Sequence, residues 1–152
     1  MTSDTRTSPS PAAGDGEART SRVLYATEVL AVGPLVAEFV ASGVLVLFGE
    51  QAPQELHDFS VLHRPTIQLE GPAVGDLVVV GDTEIPVLAV GDVVASNLLQ
   101  LGHIDLKADG RSEPTMPGDV CVPEGSLPDV TAGQAIRIVR PSAAAGEERT
   151  LS

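Results

Sequence analysis

Short runs of Val, Ile and Leu, each ended within a few residues by Gly, Pro or Asp, recur along the middle of this chain. Val44-Leu45-Val46-Leu47-Phe48, Leu77-Val78-Val79-Val80 and Ile85-Pro86-Val87-Leu88 are examples. Runs this short and this rich in β-branched residues fit strands, because branched side chains pack well on a pleated surface. They are far too short for a membrane helix, which takes about 20 apolar residues. The pattern places strands near 22–31, 44–48, 59–63, 67–70, 76–81, 84–90, 103–108, 119–123 and 134–140. Gly81-Asp82, between two of the runs, signals a tight hairpin and puts Pro86 at a sheet edge or a bulge.

One stretch reads as a helix, Asp92 to Gly102. Asp92 can cap its start and Gly102 can stop its end, while Val94, Leu98 and Leu101 recur at helical spacing and should pack on the core. Shorter helical turns are expected at 34–41 and 53–58, the second opening with Pro53. The fold class that follows is mainly β: a compact barrel-like or two-sheet domain with one or two short covering helices.

The ends differ from the middle. Residues 1–21 and 141–152 are Ser, Thr, Pro, Ala and Gly with scattered charge. They offer too little apolar surface to offset the entropy of ordering them, so both are expected to be disordered tails around a single domain at 22–140. The N-terminus lacks the charged-then-apolar order of a secretory signal. The single cysteine, Cys121, excludes an internal disulfide and fits a reducing cytoplasm, with its thiol read as a small buried hydrophobe. The formal charge is −12, of which −10 falls in residues 21–140. Such a surface repels nucleic acid and anionic lipid; it favours a basic protein partner, or serves solubility alone.

Three histidines, His57, His63 and His103, carry the chemistry available. No HExxH or CxxC spacing supports a metal, although the three could converge in space with Asp58 or Asp105. No GxSxG elbow, Walker loop or dinucleotide fingerprint is present, so no hydrolase motif or cofactor is expected. His63 ends an apolar run and is followed by Arg64 and Pro65. Pro65 keeps residue 64 extended and should stop the ladder, which would put His63 at a strand terminus facing solvent. Arg64 can then offer charge to a phosphoryl group on the imidazole. The plain alternative is a strand-end histidine beside a salt-bridging arginine.

From about Val23 to Val139 the chain resembles the IIA component of the glucitol/sorbitol-specific phosphotransferase system (PTS). The pieces that carry the resemblance come in co-linear order. They are Leu47-Phe48-Gly49-Glu50-Gln51-Ala52-Pro53, Glu55-Leu56, Asp58-Phe59 leading into Leu62-His63, and Val87-Leu88-Ala89-Val90-Gly91. Asn97-Leu98, Leu101-Gly102-His103, Asp109-Gly110, Pro117-Gly118, Pro128-Asp129 and Ala132-Gly133 follow. The resemblance implies a cytoplasmic phosphoryl carrier. In that family a histidine in a Phe-x-x-x-His segment, here His63, accepts a phosphoryl group from the carrier protein HPr and passes it to the IIB component of the IIB/IIC transporter. His103 falls at another position where similar sequences carry histidine. It would help hold the phosphoryl group or orient the ring; equally, it would cap the preceding helix or satisfy a buried backbone group. Arg64 has at most a weak role, and His57 reads as a half-exposed helix residue.

Three outcomes are distinguishable. A carrier predicts His63 exposed in a shallow apolar depression ringed by acidic side chains. A non-catalytic regulatory or binding module on the same fold predicts His63 buried or blocked. A metal-dependent enzyme predicts the three histidines within ligand distance of one point.

Overall fold

The structure is a computed structural model that describes residues 21–142. The tails expected at 1–21 and 141–152 lie outside the described residues, apart from Ser21, Pro141 and Ser142. Val23–Val139 forms one unit by its internal contacts. The described strands are β1 (Arg22–Val32), β2 (Val44–Gly49), β3 (Val61–Gln68), β4 (Leu77–Val80), β5 (Thr83–Pro86), β6 (Ala89–Val90), β7 (Ile104–Lys107), β8 (Asp119–Cys121) and β9 (Ala135–Arg140). Two short α-helices, α1 (Val36–Ala41) and α2 (Val94–Leu101), and a 3₁₀ turn at Gln54–Phe59 complete the described elements. None of these helices is long and apolar enough to cross a membrane.

The strands form one nine-stranded sheet in the order β5-β4-β9-β1-β3-β2-β7-β8-β6. Its two outer strands, β5 and β6, are consecutive in sequence and separated by Val87 and Leu88 alone. The sheet must therefore curl until its edges nearly meet, and it stays open in its hydrogen bonding at that corner. There the chain changes partners: Val87 N–H donates to Asp76 and Leu88 N–H to Cys121. One run expected at 84–90 thus becomes two short strands. The mainly β fold with few short helices is as expected, realised as one curled sheet.

Alternation sets the core. Leu45, Leu47, Val61, Ile104, Leu106, Val120, Ile136 and Ile138 all turn inward and are buried. Each such side chain contributes roughly 1.5–3 kcal/mol through the apolar surface it removes from water. Gly81-Asp82 makes the expected tight turn, with Val80 paired to Thr83 and Gly81 at φ +59°. Pro86 lies on the outer strand β5, where a missing N–H costs no ladder bond.

Two helix details differ from expectation. Asp92 does not cap α2: the N-cap is Val93, with no side-chain cap bond. The Val93 and Val94 N–H groups are instead satisfied by the backbone carbonyls of Pro117 and Gly91. Leu101 is 44% exposed, because the last turn of α2 carries it outside the core that Val94 and Leu98 enter. Gly102 ends the helix as expected, in the left-handed region at φ +67°.

Candidate functional site

His63 is not at a strand terminus. The expected strands at 59–63 and 67–70 are one strand, β3, which runs through Pro65 and holds His63 near its start. Proline is tolerated here for two local reasons. The ladder to β2 ends at the Gly49–His63 pair, so β3 has no β2 partner further on. On the other side the register with β1 slips between Ala26 and Thr27, opposite this segment. Edges and bulges are where a sheet accommodates proline.

The alternation of β3 then decides what His63 faces. Val61 and His63 point inward at 0% exposure, while Arg64 points out. The expected exposed histidine in a shallow depression is therefore corrected: His63 is fully buried. It lies between Val29 on β1 and Gly49 on β2.

Both ring nitrogens of His63 are engaged. Nε2 is 2.7 Å from the Gly102 carbonyl oxygen, and Nδ1 is 2.5 Å from the Thr27 hydroxyl. A carbonyl only accepts, so Nε2 carries the proton and donates to Gly102. In the neutral ring Nδ1 then accepts from the Thr27 hydroxyl. Burial pushes the imidazole pKa below its usual value, and the Gly102 carbonyl opposes that shift without reversing it. The resting ring is neutral at pH 7, with a defined tautomer.

The Gly102 carbonyl reaches His63 because two glycines let backbones touch. A Cβ on Gly102 would lie 2.8 Å from the Gly49 nitrogen and 3.2 Å from His63 Nε2; one on Gly49 would lie 2.8 Å from the Leu101 carbonyl. The turn after α2 thus sits on the end of β2 and closes over the ring. On the inner side Tyr25 meets His63 edge-on, with centroids 6.4 Å apart. Its hydroxyl is pushed up to about 12 by burial and has no hydrogen-bond partner among the described residues. Tyr25 and Thr27 line an otherwise aliphatic void of about 10 Å³, room for about one water and far too small for a sugar.

The other expected site residues lie apart from the ring. Arg64 is exposed, and its guanidinium makes two 3.1 Å bonds to the Glu50 carboxylate, which holds that carboxyl below its usual range. His103 stacks on Phe48 at 4.3 Å, and its Nε2 pairs with Asp105 at 3.1 Å. What this turn presents to His63 is the backbone carbonyl one residue before His103. His57 bonds the Ala52 carbonyl at 2.9 Å from a half-buried position. Among the described residues no group of three or more His, Cys, Asp or Glu is placed to hold a metal. Cys121 is buried on β8 as expected, its thiol pushed up to about 11 by burial and by Asp109. Thr27, Gly49 and Gly102 complete the site and were not singled out as site residues by the sequence. Gly102 carried a signal as a helix stop, whereas Thr27 carried none.

Fold and site together define a small β domain built round one buried, neutral histidine. The fold is shared with a IIA component of the PTS. A crystal structure of a PTS system IIA component from Enterococcus faecalis V583 superposes with a TM-score of 0.61 at 27% identity, covering 73% of this chain and 96% of that one. The family model described as the PTS system glucitol/sorbitol-specific IIA component matches residues 24–137. Glucitol/sorbitol-specific EIIA components from Shigella flexneri and Escherichia coli (strain K12) are each 31% identical over 116 residues, covering 70% of this chain and 86% of theirs. The chain belongs to the glucitol/sorbitol-specific IIA component family, and so to the phosphotransferase components of sugar transport.

Proposed function

We propose that this chain is a phosphoryl carrier in which His63 accepts a phosphoryl group from phospho-HPr and passes it to the IIB component of a glucitol/sorbitol-type transporter, in the cytoplasm. The observation that carries the reading is the state of His63. A nucleophilic imidazole must be neutral, and burial keeps this one so at pH 7. Its family supplies the phosphoryl chemistry. Phosphoryl transfer needs positioning and in-line approach more than covalent help, and a ring bonded at both nitrogens is well positioned. The −10 charge of residues 21–140 suits a basic partner surface. Arg64 has a minor part at most, since its charge is matched by Glu50. His103 has no bond to the ring that would make it the acceptor's partner, and its contribution is to hold the turn against Phe48.

Complete burial of His63 favours a second reading, a non-catalytic regulatory or binding module on the same fold. A reconstituted relay separates the two. With enzyme I, HPr, phosphoenolpyruvate and membranes carrying the IIB/IIC components, the wild type should support sorbitol phosphorylation and His63→Ala should not. A folded wild type that supports none, with cognate partners active, would establish the module instead.

A further inference from the structure

Resting on the carrier reading, we propose that His103 is a positioning residue: anchored on Phe48 and Asp105, it fixes the peptide unit that holds the His63 ring. The bond from that ring ends on the Gly102 carbonyl oxygen, at 2.7 Å. This carbonyl belongs to the peptide unit between Gly102 and His103. The N–H of the same unit donates to the Asn97 carbonyl at 3.2 Å. One rigid plane therefore carries both bonds, and a tilt of that plane moves the acceptor away from His63.

The two ends of the plane are held very differently. On the helix side stands Gly102, with no side chain and a left-handed φ of +67°. Glycine restrains its own dihedrals little, and the 3.2 Å bond to Asn97 is at the long end of the usual range. On the other side stands His103, whose ring is held twice. It stacks on Phe48, with centroids 4.3 Å apart and planes 12° from parallel. Its Nε2 lies 3.1 Å from Asp105 Oδ1; a carboxylate only accepts, so this nitrogen donates.

Both anchors stand on interior strands. Phe48 is on β2, between β3 and β7, and Asp105 is on β7, between β2 and β8. The β2–β7 ladder pairs Leu47 with Ile104, so the next step of the register sets Phe48 across from His103. One residue beyond Phe48, Gly49 pairs with His63 itself. The buried ring and the carbonyl that holds it are thus referred to the same strand end, one through the ladder and the other through His103.

An imidazole without a fixed acceptor turns about its side-chain bonds and exchanges tautomers, and phosphoryl transfer rewards a ring already set for in-line approach. His103 touches neither the ring nor the phosphoryl group and acts through the peptide unit. A packing role would move stability alone; a positioning role moves the state of His63. The side chains of His103 and Asp105 are 23% and 25% exposed, so neither is sealed in the core.

Nitrogen-15 NMR of the His63 ring in the unphosphorylated protein tests this, beside the rate of phosphoryl uptake from phospho-HPr. The wild type should show one tautomer, with the proton on Nε2. His103→Ala should give averaged ring shifts, and its uptake should be about five- to tenfold slower, the effect of about one lost hydrogen bond. His103→Phe keeps the stack and should lie closer to the wild type in both readouts. Phe48→Ala should match His103→Ala, and the double variant should be no worse than either, because the two rings act as one anchor. If His103→Ala does not fold, His103→Leu takes its place in every comparison. A wild-type ring that averages both tautomers would overturn the inference and leave the carrier reading intact. So would a His103→Ala protein with the wild-type ring signature or the wild-type rate, a His103→Phe protein no better than His103→Ala, or effects that add in the double variant. A wild type that takes no phosphoryl group would overturn the carrier reading, and with it the part of His103 in the reaction.

Discussion

Taken out of water and set between Thr27 and the Gly102 carbonyl, the His63 imidazole is held neutral, and that has a cost in acid. The unfolded chain takes up this proton near pH 6.5, while the folded chain does so only at lower pH. Between those two values the unfolded state binds more protons, so stability rises with pH across the window. It is lost as pH falls below about 6.5. Following the ring by NMR should therefore give a midpoint below 6.5. Cooling the comparison to one residue, the wild type should lose more thermal stability than His63→Gln between about pH 7.5 and about pH 5.5. A midpoint at or above 6.5, or equal losses in the two proteins, would show that burial does not set the charge state.

The elements that hold the ring explain why some of the site was legible in sequence and some was not. Gly102 was readable as a helix stop, because a helix end needs a left-handed residue there. That its carbonyl lies on a histidine 39 residues away is a product of tertiary packing. Pro65 pointed the wrong way for a similar reason. Whether a proline ends a strand depends on where the neighbouring ladder stops, and here β2 stops at Gly49. The hairpin at Gly81-Asp82 and the buried Cys121 were legible because local pattern sufficed. Thr27, 36 residues from His63, had no local mark at all. The glycine contact makes a prediction of its own. Gly102→Ala meets both a positive φ and the Gly49 backbone at 2.8 Å, whereas Gly75→Ala, at φ +95°, meets nothing within 4 Å. Backbone strain alone costs about 1–2 kcal/mol. Gly102→Ala should lose clearly more than Gly75→Ala in thermal unfolding, and equal losses would mean that the turn does not press on β2.

At the scale of the whole described domain, a single sheet curls until β5 and β6 are two residues apart in sequence, and among the described residues one histidine, His63, is buried in its interior. Small molecules find no room beside that histidine, where the void is about 10 Å³. A carrier of a group passed between proteins, as proposed above, would need no such room, and the chain belongs to the glucitol/sorbitol-specific IIA component family. The most direct measurement is intact mass after incubation with enzyme I, HPr and phosphoenolpyruvate, for the wild type and for His63→Ala. The carrier account predicts an acid-labile gain of one phosphoryl group in the wild type and none in the variant. No gain in the wild type, or a gain that survives in His63→Ala, would contradict it.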